Sequence, residues 1–184
     1  MNISPLTENK TAYIAVGANL GDREAACRQG AEMLSGNPDI RIFAHSFYYE
    51  TAPMGYDDQP WFVNAVFGVE TGLDPEQLLA RLKEAENRAG RDRGTIRFGP
   101  RVLDLDLIFY KNEIIHTPDL VVPHPRMHQR AFVLRPLADI APELIHPKLG
   151  RSVRDLLADP AIADQDCKRL NFKPYNLNLE LRSF

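Results

Sequence analysis

In the segment Val102–Tyr110 (VLDLDLIFY) leucine and aspartate alternate. Residues two apart on a strand share a face. An extended chain here puts Leu103, Leu105 and Leu107 on one face and Asp104 and Asp106 on the other. Burying the leucines against a helical layer leaves the two carboxylates side by side on an open sheet face. The fold must therefore contain a sheet that is covered on one face and accessible next to this pair.

The rest of the chain supplies such a sheet. Ala12–Val16 is a short apolar run ended by Gly17 and reads as a strand. Asp22 can cap a helix running to about Ser35, weakened by Gly30 and stopped by Gly36, Asn37 and Pro38. Ile40–Tyr49, rich in aromatic and β-branched residues, reads as a second strand, and Trp61–Glu70 as a third. Asp74, Pro75 and Gln77 spell an N-cap, a first helical position and a capping box. Leu78, Leu79, Leu82, Ala85 and Ala89 follow at helical spacing up to Gly90. With Val102–Tyr110 the order is β-α-β-β-α-β, an α+β, ferredoxin-like antiparallel sheet with helices on one face. Two further helices are expected near Arg130–Asp139 and Ser152–Ala158.

A length of 184 residues suits one domain. A core over about residues 12–160 is expected, with a loosely patterned tail over 161–184. With 44% apolar and 26% charged residues and a net charge of −3, no general attraction to nucleic acid or membrane is expected. Cys27 and Cys167 stand far apart with no Cys/His cluster, which argues against a disulfide framework or structural zinc. The first ten residues are polar, and no apolar run reaches the ~20 residues of a membrane helix. The expectation is a soluble, cytoplasmic, monomeric protein.

Two adjacent carboxylates repel, which favours a cation between them or one raised pKa. Hard Mg²⁺ takes oxygen ligands and binds one or two carboxylates together with substrate phosphates. Just upstream, GRDRGTIRFGPR carries Arg91, Arg93, Arg97 and Arg101 among glycines and a proline. Guanidinium forks suit phosphate oxygens. Arginines leading into a carboxylate pair point to polyphosphate chemistry. No Walker-A or G-x-G-x-x-G sequence is present, so any nucleotide is held another way.

The segment Arg97–Ile108 (RFGPRVLDLDLI) resembles the signature of the 6-hydroxymethyl-7,8-dihydropterin pyrophosphokinase family. Ala12–Leu20, Phe47–Gly55, Asp58–Ala65 and Val122–Met127 match further family segments in order and spacing. The resemblance, over roughly residues 12–147, implies transfer of the β,γ-diphosphoryl unit of ATP to the hydroxymethyl oxygen of the pterin, releasing AMP, in folate biosynthesis. It implies that Asp104 and Asp106 hold two Mg²⁺ ions and that Arg91 and Arg101 clamp the phosphates as catalytic residues. Glu86, Arg93, Phe98, Leu107, His124 and Arg130 match ATP-side positions. Thr51, Pro53, Met54, Phe62, Asn64 and Phe132 match pterin-side positions, where aromatic rings can flank a flat heterocycle. Phe62, Phe98 and Pro125 depart from the family's usual Tyr, Trp and Tyr.

The remaining polar residues carry less. His124 and His128 have i, i+4 spacing, but the prolines flanking His124 argue against a helical zinc site. His45, His116 and His146 have no motif company and are expected to be structural. A polymerase-type two-metal enzyme and an RNA-recognition domain share parts of the pattern. The first leaves the pterin-side segments without a role, and the second would set carboxylates against phosphates.

Overall fold

The computed structural model describes residues 9–55, 58–90 and 99–171. Its elements run β1 (Lys10–Ala18), α1 (Arg23–Ser35), β2 (Ile40–His45), β3 (Tyr49–Thr51), β4 (Phe62–Thr71), α2 (Pro75–Arg88) and β5 (Asp104–Tyr110). There follow β6 (Ile115–His116), β7 (Val121–Val122), a 3-10 turn (Met127–Gln129), α3 (Ala131–Ile140), α4 (Val153–Leu157), α5 (Pro160–Ala163) and β8 (Cys167–Arg169). The main sheet is antiparallel in the order β5-β1-β4-β3-β8, with β2 also paired to β4, and β6 and β7 form a separate hairpin. This is the expected β-α-β-β-α-β sheet.

The helix starts follow the local signals. The Asp22 side chain accepts from Ala25 N, and Asp74 and Gln77 form the reciprocal capping box at the start of α2. Gly30 has a packing reason to be in α1: a Cβ there would lie 3.2 Å from Leu103 Cδ1, so its absence lets the helix settle on the sheet.

The expected strand Ile40–Tyr49 is in fact two. β2 pairs with the second half of β4 and β3 with its first three residues. Between them Ser46 bonds Val66 through both its backbone N–H, at 3.0 Å, and its hydroxyl, at 2.8 Å. Phe47 N is thereby turned away from the sheet and donates to Asp139 Oδ2 of α3, at 3.1 Å. The segment 161–184, expected to be a loosely patterned tail, contributes β8, which pairs with β3 at the sheet edge.

α1 and α2 cover one face of the sheet, burying Ile14, Val16, Ala65, Phe67, Leu103, Leu105 and Leu107. α3 and α4 cover part of the other, against Val66, Ile108 and Phe109. The pairing of β1 with β5 skips Ile108, since Ile14 faces Leu107 and Tyr13 faces Phe109. That bulge lets Ile108 and Phe109 both join the α3–α4 cluster while Tyr110 returns to the α1–α2 side. The half of the second face beyond α3 stays open, and Asp104 and Asp106 are on it.

His45 is packed between the rings of Tyr48 and Phe67, with centroids at 5.0 and 4.7 Å. Burial pushes its pKa below the usual range, against the opposing pull of its bond to Ser46. The unfolded chain therefore binds a proton more readily than the folded one. Stability is fully present above the ordinary histidine pKa and is lost as pH falls from there toward the lower folded value. Melting temperatures of the native chain should drop between pH 7 and pH 5, and a His45→Gln variant should show a smaller drop. Equal pH slopes in the two proteins would remove His45 from the account.

Candidate active site

The register of three strands lays the site out in rows. Asn64 on β4 faces Gly17 on β1, which faces Asp104 on β5. Two residues back along β1, Val66, Ala15 and Asp106 form the next row on the same face. Thr51 on β3 faces Phe62 on β4. All of these except Val66, which is buried under α3, line a cavity of about 340 Å³ that Arg101, His124, Arg126 and Arg130 also line. Met54 and Phe132 line it as well. Sequence positions from Ala15 to Phe132 thus converge on one concave surface, the usual setting of a ligand site.

At the β3–β4 end, the Asn64 side chain donates through Nδ2 to Thr51 Oγ1 at 2.7 Å. Both residues are buried. With its oxygen accepting from Asn64, the Thr51 hydroxyl keeps its hydrogen for another acceptor, and the amide keeps a second N–H. This end is suited to the hydrogen-bonding edge of a flat polar ligand.

At the β5 end Arg101 is ion-paired with Asp104. The position of Arg101 is set by Asn19, which the sequence offered only as part of a matching segment. Asn19 Oδ1 accepts from Arg101 N at 2.6 Å, and Asn19 N donates to Arg101 O at 3.0 Å. Its Nδ2 donates to Gln59 Oε1 at 2.9 Å and to Pro60 O at 3.0 Å. One buried amide thus ties together the β1–α1 turn, the approach to β4 and the approach to β5.

His124 follows a cis Val122–Pro123 peptide, and its N–H donates to Ile108 O at 3.0 Å. Burial, then Arg130 and Arg126, push its pKa down to about 4, so the ring is neutral near pH 7. Its Nδ1 accepts from Arg126 N at 3.3 Å, which leaves the proton on Nε2 as a donor. Burial and Arg126 also lower Arg130, against the pull of Asp106 and Asp104, yet a guanidinium stays charged at neutral pH. Its guanidinium carbon lies 5.2 Å from the centroid of the Phe132 ring.

Some expected site residues fall elsewhere. Leu107 is buried in the α1–α2 core, on the face opposite Asp106, because the alternation that exposes the aspartates hides the leucines. Its side chain is not available to a ligand in the cavity. Glu86 is buried under the edge of β5, where its Oε1 accepts from Leu105 N at 2.9 Å. It holds the backbone between the two aspartates and does not line the cavity. Pro53 is flanked by lining residues Ala52 and Met54 without lining the cavity itself. Arg91, Arg93 and Phe98 lie outside the described residues. Gly17, Gln59 and Arg126 line the cavity without having been singled out as site residues.

The antiparallel α+β sheet thus gathers a carboxylate pair, arginines and a buried amide in one cavity, an enzyme-type site. Residues 13–142 match the family 7,8-dihydro-6-hydroxymethylpterin-pyrophosphokinase (HPPK), and the chain belongs to that family. It is 44% identical over 136 residues to the 2-amino-4-hydroxy-6-hydroxymethyldihydropteridine pyrophosphokinase of Bacillus subtilis, covering 74% of this chain and 81% of that protein. The protein of the same name from Methylorubrum extorquens is 42% identical over 152 residues, 82% of this chain and 94% of its own length. The folic acid synthesis protein fol1 of Pneumocystis carinii is 39% identical over 180 residues, and the chain spans only 24% of its length. The fold is also that of part of the Plasmodium falciparum HPPK-DHPS crystal structure, with a TM-score of 0.67 at 16% identity, over 85% of this chain and 46% of that one.

Proposed function

We propose that this chain transfers the β,γ-diphosphoryl unit of ATP to the hydroxymethyl oxygen of 6-hydroxymethyl-7,8-dihydropterin, releasing AMP, as a step in folate biosynthesis. The observation that carries this reading is the single row Asn64–Gly17–Asp104. It joins a heterocycle-binding amide to a carboxylate pair across one strand of one cavity. The reading takes the pterin to lie between Phe62 and Phe132 with its polar edge on Asn64 and Thr51, beside Met54. Its hydroxymethyl group then points along the row toward Asp104.

The donor set of Asp104 and Asp106 is all oxygen, which fits Mg²⁺ held jointly with substrate phosphates. In this reading the pair holds two such ions, which when bound neutralise charge on the phosphate oxygens. Arg101 and Arg130 bind and orient the phosphates, and neutral His124 donates from Nε2 to an oxygen of the nucleotide. Arg91, Arg93 and Phe98 belong to the same nucleotide side by resemblance. Catalysis is then chiefly positioning and electrostatic stabilisation in a partly enclosed cavity. The reading takes the chain to act as a monomer in the cytoplasm.

The direct test is an assay with ATP, Mg²⁺ and the reduced hydroxymethylpterin. AMP and the pterin diphosphate should form in equal amounts, and removal of Mg²⁺ by chelation should stop the reaction. Release of ADP or of a cyclic nucleotide in place of AMP would reject the proposal.

A further inference from the structure

Gly17 is the middle residue of the row that joins the two ends of the cavity, and it lines the cavity itself. A Cβ at this position would lie 2.6 Å from Asn64 Oδ1, 3.7 Å from Asn64 Cγ and 3.9 Å from Phe62 Cδ1. The first distance is far inside van der Waals contact, and the atom it strikes belongs to the amide that faces the cavity. That amide is not free to turn away. Asn64 is 6% exposed, and its Nδ2 is committed to Thr51 Oγ1 at 2.7 Å, itself on a residue only 2% exposed. Moving Oδ1 off a new methyl group means rotating the amide out of that bond. The backbone gives Gly17 no other reason to be glycine, since it sits in the regular pairing of β1 with both neighbours. A glycine inside a strand marks a close approach.

From this we infer that Gly17 is a positioning residue for the acceptor substrate. Its missing side chain lets the Asn64 amide lie across β1 in the orientation that meets the heterocycle, and it keeps the floor between Asn64 and Asp104 flat. The inference rests on the pterin reading above and extends it to a residue with no polar group of its own. The nucleotide side is untouched by the contact, so the effect should be confined to one substrate.

The test is Gly17→Ala combined with Asn64→Ala in a double-mutant cycle. Gly17→Ala should raise the KM for the dihydropterin about tenfold or more, with the KM for ATP nearly unchanged. In the Asn64→Ala background the same change should add little, because the oxygen it strikes is gone. An unchanged pterin KM, or effects of the two changes that simply multiply, would overturn the inference. If Gly17→Ala does not fold, the melting temperatures of Asn64→Ala and of the double variant decide. The inference requires the double variant to fold and melt with Asn64→Ala, and its failure to fold would place the clash elsewhere and refute it. Should the native chain release no AMP, the pterin reading falls by itself, while coupling of melting temperatures between positions 17 and 64 still decides the steric contact.

Discussion

Asp104→Ala and Asp106→Ala should each lower Mg²⁺-dependent AMP formation by about three orders of magnitude or more, with the fold intact. The size of the effect follows from what the pair is asked to do. Polyphosphate oxygens approaching the cavity meet Arg101 and Arg130, but the proposed metal-binding oxygens come only from these two side chains. Losing either removes stabilisation of charge that grows toward the transition state, and each 1.36 kcal/mol so lost is about tenfold in rate. The fold should survive because neither carboxylate is part of the core. The Asp104 side chain is 23% exposed, and its ion pair with Arg101 is partly exposed as well. Such a pair contributes about 1 kcal/mol or less to stability. Circular dichroism and a thermal melt should match the native chain while AMP release is lost. A folded double variant that still turns over would sink the metal assignment.

Asn64→Ala should raise the KM for the dihydropterin about 100-fold and leave the KM for ATP within about twofold. A site built to hydrogen-bond its ligand discriminates strongly, because the ligand's polar edge is left unpaired when the partner is removed. The change also frees Thr51 Oγ1 from its 2.7 Å bond, so part of the loss comes from a second group no longer held in place. Steady-state kinetics with each substrate varied in turn separates the two constants. Equal increases in both would mean that Asn64 shapes the cavity as a whole and does not recognise one ligand.

The site was more legible in the sequence than its surroundings. The alternation of Leu103 to Leu107 is a statement about neighbours in the chain, and it correctly placed two carboxylates opposite three buried leucines. By the same rule Leu107 belonged to the core, and only its resemblance to a family position suggested a ligand contact. The helix starts at Asp22 and Asp74 were equally local, because a cap is a bond between residues three apart. The break at Ser46 was not local. It depends on Val66 and Asp139, which lie far along the chain. Asn19 was hidden for the same reason, since each of its partners lies on another segment.

The sequence by itself therefore determined the helix starts, the order of the central sheet and its two covering helices, and which side chains share a face, because strand alternation and helix capping act over a few residues. Only the tertiary structure decided which part of that face stays open. The bulge at Ile108 and the packing of α3 and α4 bury one half of it and leave Asp104 and Asp106 in the other. It also decided that Asn64, Gly17 and Asp104 stand in one row, since register is set by the burial of whole strands against a common core.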